Sequence, residues 1–258
     1  MRSWTAAGYR PDVNEPVDRF GEHIAATYDE DSAERFVAEE LDATVDLLAE
    51  LAGGGPALEL AIGTGRVALP LAARGITVHG IDLSSAMVER LRAKPGGADV
   101  PVAIGDFATT RMNGSFSLVY LVYNTIGNLT TQDAQIACFA NAAAHLAPGG
   151  RFLVETGIAD LRRMPPGQNA VPFRIGTTRW GFDTIDVATQ TMTSHHISVV
   201  DGHGSYTALP FRYTWPAELD LMARLAGMRL SARWAGWHRE PFTSDSDRHV
   251  SVWEKPAA

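Results

Sequence analysis

The chain has 258 residues, 45% of them hydrophobic, enough to bury one full core with at most a smaller unit packed against it. Its formal charge of -8 excludes a general basic surface for phosphates, and the adjacent pair Arg162–Arg163 makes no patch, so nucleic acid is not an expected partner. The single cysteine, Cys138, rules out an intrachain disulfide framework, and its place between Ile136 and Phe139 in a helical pattern marks a buried apolar residue rather than a nucleophile.

In chain order, residues 1–16 mix Arg2, Trp4, Tyr9, Asp12 and Glu15 without a continuous apolar run. That predicts an irregular arm, neither a signal peptide nor a membrane span, and a cytoplasmic location. A short helix is expected over residues 17–28. A longer one is expected over 32–52, where Val37, Leu41, Val45, Leu48 and Ala52 form one apolar stripe ended by Gly53-Gly54-Gly55-Pro56.

The period then changes. Residues 57–62 read as a strand, 65–74 as a helix, 76–81 as a strand, and 84–94 as a helix with Ser84 as its N-cap. Strands are also expected at 100–104, 116–122 and 151–155, with a helix over 131–146 before the last. Strands alternating with helices argue for an α/β fold with a parallel, doubly wound sheet.

After Gly157 the alternation stops. Residues 177–187, 190–200 and 205–215 read as strands of an antiparallel insertion, divided by Ala188-Thr189 and by Asp201-Gly202-His203-Gly204. A helix near 216–226 and strands near 228–238 and 249–254 bring the chain back to the main sheet. The expected organisation is an N-terminal arm with helices over 1–52, a cofactor-binding core over 53–157, an insertion covering the acceptor site over 158–215, and a C-terminal helix and strands over 216–258.

The run from Leu58 to Ala68 is a strand, a glycine turn and a helix start. Gly63 and Gly65 let the backbone turn tightly and approach a ligand that faces the new helix. Asp82 ends the second strand, where a carboxylate can accept both ribose hydroxyls of an adenosine. Asp106 and Phe107 end the third, an acid and a ring suited to adenine. Gly63, Gly65 and Ala68 also fit the G-x-G-x-x-G/A pattern of dinucleotide-binding folds, so an NAD(P)-dependent oxidoreductase stays open on this turn alone.

Taken together, these runs resemble the class I S-adenosylmethionine-dependent methyltransferases, small-molecule type. Glu59-Leu-Ala-Ile-Gly-Thr-Gly resembles their E/D-x-G-x-G-x-G motif, with Ala61 standing in place of the first glycine. Gly80-Ile-Asp82-Leu-Ser and Gly105-Asp106-Phe107 resemble the second and third motifs, and Ala147-Pro148-Gly149-Gly150 resembles the L-x-P-G-G turn. The resemblance implies S-adenosylmethionine as cofactor and a Rossmann-like fold. It also implies a binding set of Tyr28, Glu59, Ala61, Gly63, Thr64, Gly65, Asp82, Leu83, Asp106, Phe107 and Leu121. In that set Glu59 orders the glycine loop, Gly63 and Gly65 pass under the methionine part, Asp82 binds ribose, Asp106 and Phe107 flank adenine, and Leu121 touches the cofactor. Tyr28-Asp29 resembles the Y-D pair that some members place over the methionine end.

Residues 122–129 partly resemble the post-strand loop of sugar N-methyltransferases from antibiotic pathways. An open parallel sheet binds ligands beyond the carboxyl ends of its strands, so Tyr123 and Asn124 are expected to face the reacting methyl or the acceptor. If residues 190–200 form a strand, His195 and His196 point to opposite faces, and at most one looks into a pocket. Phe211, Tyr213 and Trp215 are expected to share one face, and Trp234, Trp237 and His238 form another aromatic group. His196 and His238 are the candidate bases should the acceptor be a hydroxyl. No metal site is indicated, because the histidines lack carboxylate partners at ligand spacing. The expected activity is methyl transfer to a nitrogen or oxygen of a small molecule, a specialised metabolite or an amino sugar. The alternatives are the oxidoreductase and a non-catalytic cofactor-binding protein. No membrane partner is expected, and a homodimer is left open.

Overall fold

The computed structural model describes residues 18, 21–32, 38–200 and 202–257, apart from the side chains of 23, 27, 31 and 32. The arm 1–16 and Val37 of the predicted stripe lie outside the described residues. Helix α1 spans Glu22–Ser32, shifted from the expected 17–28, and α2 spans Ala38–Ala52. Along α2, Val45, Leu48 and Ala52 are buried as the stripe requires, joined by Thr44 and Leu47.

The alternation follows the expected order: β1 Ala57–Leu60, α3 Ala68–Ala73, β2 Val78–Asp82, α4 Ser85–Arg92, β3 Val102–Ile104, β4 Phe116–Leu121, α5 Gln132–His145 and β5 Leu146–Gly157. Ser84 caps α4 by accepting from the Met87 N–H at 3.4 Å, and Thr131 caps α5 by accepting from the Ala134 N–H at 3.1 Å. Strand β5 starts earlier than expected. The Pro148-Gly149-Gly150 turn is itself tied to the chain end, Gly149 donating to Lys255 and Lys255 to Gly150, both at 2.9 Å.

The main sheet closes with β10 Arg229–Trp234 and β11 Arg248–Glu254, preceded by α6 Pro216–Leu225. Its strand order is β10-β11-β5-β4-β1-β2-β3, parallel from β5 through β3, with β11 antiparallel to both β5 and β10. Order reverses between β1 and β4, which opens a crevice at their carboxyl ends. Two apolar layers flank the sheet. One holds Cys138, Phe139, Leu219, Met222 and Trp253 from the α5, α6 and β11 side; the other holds Val45, Leu48, Leu71, Leu91 and Trp237. In the first, Phe139 meets Phe152 and Trp253 edge-on with ring centroids 5.0 and 5.2 Å apart, the favoured aromatic geometry.

The insertion is a separate antiparallel sheet of four strands rather than three: β6 Ala170–Ile175, β7 Arg179–Asp186, β8 Thr191–Val200 and β9 His203–Arg212. Pro172 argues against a strand in the sequence, yet β6 is an edge strand and is irregular between Pro172 and Arg174, positions where proline is tolerated. The face carrying Val171, Ile185 and Met192 packs on Ala159, Leu161, Met164 and Tyr213. That contact seats the second sheet on the segment that leaves β5.

Candidate active site

Beyond β1 the chain turns through Ala61, Gly63 and Gly65 with φ of +55, +56 and +78°. An L-residue in this left-handed region costs about 1–2 kcal/mol, so the alanine at the position of the family's first glycine adopts the glycine's conformation under strain. A methyl group on Gly65 would run into Leu91, whereas one on Gly63 would find nothing nearer than the Ala61 carbonyl at 4.0 Å. The loop is therefore packed from behind at Gly65 and open in front at Gly63, a cradle for a ligand's backbone approach.

Two carboxyl groups hold this loop. Glu59 is 3% exposed and accepts from the Tyr120 hydroxyl at 3.0 Å; burial pushes its pKa up to about 8, against the bond from Tyr120 and the N–H of Ala68. Asp82 accepts from the Gly63 N–H at 2.6 Å with one oxygen and from the Ser84 N–H at 2.8 Å with the other. Burial raises the Asp82 carboxyl above its ordinary value, opposed by the N–H groups of Ser84, Gly63 and Leu83, while Asp18 adds to the rise. A carboxylate has about four acceptor sites, so Asp82 keeps capacity for a diol after tying the glycine loop to the end of β2. Leu83 follows it, half-buried.

Helix α1 reaches the same loop. Thr64, 2% exposed, donates to Asp29 at 2.6 Å; Lys94 donates to the Thr64 carbonyl at 2.8 Å and pairs with Asp29 at 2.7 Å. Burial works against the Asp29 charge, but the bonds from Lys94 and Thr64 together hold its carboxyl below the usual range. Next to this clasp the Arg66 guanidinium lies over two rings, 5.3 Å from the Tyr28 centroid and 5.1 Å from that of Tyr123. Arg66, Lys94 and the pairing role of Asp29 were not singled out in the sequence; only the position of Arg66 directly after Gly65 hinted at it.

At the end of β3, Gly105 donates to the Asp82 carbonyl at 2.8 Å, and Asp106 accepts from the Ala108 N–H at 2.8 Å. Phe107 is 7% exposed with its ring in the α5-side core, and Leu121 is wholly buried there too. Both lie at or just beyond the ends of β3 and β4, where they stay expected neighbours of the cofactor. Parallel strands covered on both faces draw their apolar ends into the core. Asp106 stands in the same segment as Phe107, just beyond the end of β3.

The chain after β4 is strained in turn. Tyr123 and Asn124 have φ of +59 and +56°, uncommon for such residues and concentrated at functional sites. Contacts with the end of β5 impose it. The Tyr123 N–H donates to the Glu155 carboxylate at 2.6 Å, the Asn124 N–H to the Glu155 carbonyl at 3.2 Å, and Asn124 Oδ1 accepts from Thr156 Oγ1 at 2.6 Å and the Gly157 N–H at 3.0 Å. Burial raises the Tyr123 phenol well above its ordinary value, aided by Glu155, Glu59 and Glu40 against Arg66. The phenol stays protonated at neutral pH.

The predicted histidines are not brought together. His195 and His196 do face opposite sides of β8. His195 stacks between Phe182 and Tyr206, whereas His196 lies beside Ser194 at 3.2 Å and under the Phe173 ring, on the side that carries Asp183. His238 is in the turn between β10 and β11. Of the expected common face of Phe211, Tyr213 and Trp215, the last two do meet, edge-on with ring centroids 5.8 Å apart, whereas Phe211 points elsewhere because β9 ends at Arg212. Phe211 lies near Gly127, Tyr213 packs on Val171 and Ile185, and Trp215 is 38% exposed.

Residues 57–150 match the family described as "Methyltransferase domain". The chain is 32% identical over 207 residues to a cypemycin N-terminal methyltransferase of Streptomyces sp, covering 78% of this chain and 84% of that protein. The chain is a methyltransferase of this family. In solved structures the methyltransferase is similar to CcbJ of Streptomyces caelestis, with a TM-score of 0.82 and 35% identity over 92% of this chain and 98% of that one. The fold is shared with S-adenosylmethionine-bound CalS10, an amino pentose methyltransferase of Micromonospora echinaspora, at TM-score 0.68 and 20% identity, over 89% and 96% of the two chains. The cofactor of the methyltransferase is S-adenosylmethionine, and the open front of the glycine loop with the spare acceptor capacity of Asp82 fits it. No described helix is long and apolar enough to cross a membrane.

Proposed function

We propose that this methyltransferase N-methylates an amine of a small natural product or amino sugar. The observation that carries this reading is the 32% identity to a cypemycin N-terminal methyltransferase, whose name specifies an amine acceptor. A neutral amine needs no base in the transfer step because it brings its own lone pair.

In this reading Asp82 accepts the ribose hydroxyls, Asp106 stands beside the adenine, and the backbone of Ala61, Gly63, Thr64 and Gly65 runs against the methionine part. Glu59 stiffens that loop from below, and Tyr28 and Tyr123, joined by Arg66, wall the methyl end. When bound, S-adenosylmethionine supplies a sulfonium methyl whose C–S bond breaks as the N–C bond forms, the electron pair remaining on sulfur. The amine's proton goes to water. Asn124, fixed by Thr156 and Gly157, holds the loop that orients the acceptor in line, and such orientation is worth an effective molarity of about 10⁵ M or more in favourable cases. The division that accompanies the reading is a core over 53–157, an arm over 1–52, a specificity-forming insertion over 158–215 and a closing segment over 216–258.

The experiment is mass spectrometry of products after incubation with methyl-deuterated S-adenosylmethionine and matched pairs of small amines and alcohols. Labelled methyl on nitrogen is the expected result. Label on hydroxyl oxygen alone, with a rate that follows an ionisation lost in His196→Ala or His238→Ala, would replace the reading by base-assisted O-methylation.

A further inference from the structure

Register in the second sheet places Asp183 and Gly181 of β7 opposite Ser194 and His196 of β8, on the face that also carries Met192 and Phe211. The near end of this face rests on the main domain. Met192 belongs to the cluster that packs on the segment leaving β5, and a methyl group at Gly127 would touch the Phe211 ring at 3.5 Å. Gly127 lies in the short turn that Asn124 begins, so the face starts at the loop after β4. At about 3.3 Å per residue, Ser194 stands about 7 Å and His196 about 13 Å farther along β8 than the row of Met192 and Phe211. The apolar packing closes the first row, whereas Asp183 and His196 beyond it are only half-buried.

Two features of those outer rows point to a ligand. The first is a ring seated on bare backbone. A methyl group at Gly181 would come within 2.2 Å of the Phe173 ring, so only glycine lets that ring rest on the sheet, exposed and with its centroid 5.3 Å from that of His196. The second is a carboxylate left half satisfied. The buried Ser194 hydroxyl bonds the Asp183 carboxylate and lies 3.2 Å from His196 Nε2. A hydroxyl has one proton; given to the carboxylate, it leaves the serine oxygen to accept from the imidazole N–H. The other carboxylate oxygen, Asp183 Oδ1, is buried and has no donor. Such an oxygen is costly, and a ligand that brings a donor recovers the cost on binding.

A hydroxyl is the donor that fits. It brings one hydrogen and no charge, whereas an ammonium brings three donors to a single unpartnered oxygen that already has His195 and His196 nearby. The reacting nitrogen belongs at the loop after β4, so a group held one or two rows beyond it is a different part of the acceptor. An exposed aromatic ring beside a few fixed polar groups suits the apolar C–H face of a hydroxylated ring.

We propose that this face of the insertion binds a polyhydroxylated ring of the acceptor, with Asp183 Oδ1 accepting from a ring hydroxyl and Phe173 packing on the ring's C–H face. The proposal rests on the N-methylation reading and narrows it, from amines at large to amines on or next to a sugar-like ring. Asp183 and Phe173 act in recognition and take no part in the proton balance of transfer.

The test uses the full chain loaded with S-adenosylhomocysteine. It is titrated with methyl glycosides of aminohexoses that carry the amine at different ring carbons, and with cyclohexylamine as the ring amine without hydroxyls. The imidazole signals of His196, assigned with His196→Gln, are followed by NMR. Saturable shifts with an aminohexose and little response to cyclohexylamine are expected. Affinity for that aminohexose should fall about tenfold in Asp183→Ala and about threefold in Phe173→Ala, which removes only an exposed ring, with S-adenosylhomocysteine affinity unchanged in both. Response to none of the aminohexoses, equal response to cyclohexylamine, or aminohexose binding that ignores either substitution overturns the subsite while leaving the N-methylation reading intact. Failure of S-adenosylhomocysteine to bind the parent protein would instead remove the reading beneath it.

Discussion

Replacing Arg212 by methionine should loosen the acceptor loop and spare the cofactor loop. Arg212 is 5% exposed at the root of the insertion and bonds Glu218 at 2.6 Å as well as Gln135 Oε1. Gln135, wholly buried, donates in turn to the carbonyls of Ile126 and Arg212, both at 3.2 Å. One side chain therefore joins the second sheet to the loop that carries Tyr123 and Asn124. Breaking a buried ion pair by removing one partner costs about 3–5 kcal/mol, because the other charge is left uncompensated. Glu218 keeps bonds from Gln132 at 2.7 Å and Gln190 at 2.8 Å, and its side chain is 15% exposed, so the low end, about 3 kcal/mol, is expected.

Glu218 also gives the effect a pH signature. Burial alone would raise its carboxyl, but the bonds from Gln190, Arg212 and Gln132 hold it below the ordinary value. A depressed folded-state pKa contributes stability that is present above the unfolded value and lost as pH falls through the folded one. Arg212→Met should therefore lose stability at neutral pH and show a shallower fall on the acid side. Urea unfolding from pH 3 to 7 measures both, with cofactor affinity by calorimetry as the control. A variant that unfolds at the parent midpoint with the same acid slope would refute the clasp.

Ala61→Gly should stabilise the fold by about 0.5–1 kcal/mol, the relief of left-handed strain exceeding the extra freedom of the unfolded chain; a loss of stability in thermal unfolding would show that the Ala61 methyl contributes packing worth more than its strain. For Glu59 the folded pKa of about 8 lies above the ordinary 4.5, so the folded state binds the extra proton and stability falls as pH rises between those values. Glu59→Gln should flatten that decline in denaturation curves from pH 5 to 8, and a parallel decline in both proteins would mean that Glu59 titrates normally.

Much of the cofactor half was legible because it is local. The Leu58 to Ala68 run, Asp82 and Asp106 each sit at a strand end whose period and glycine turns are written into neighbouring residues. What the sequence hid is conformational or distant. The left-handed backbone at Tyr123 and Asn124 comes from Glu155, Thr156 and Gly157 on another strand, and no local pattern announces it. The clasp of Asp29, Thr64 and Lys94 joins segments that meet only after folding. Strand β6 was missed because Pro172 is a strand breaker everywhere except at the edge it occupies.

The account turns on whether the crevice at Gly63, Gly65 and Asp82 binds S-adenosylmethionine through the Asp82 carboxylate. Calorimetry of the parent protein and of Asp82→Ala, each checked by circular dichroism, measures this directly. One site per chain for S-adenosylmethionine is predicted in the parent, with affinity lower by about 1–3 kcal/mol in the variant, the value of charge-assisted bonds to the ribose. A folded Asp82→Ala protein that binds as tightly as the parent would contradict it.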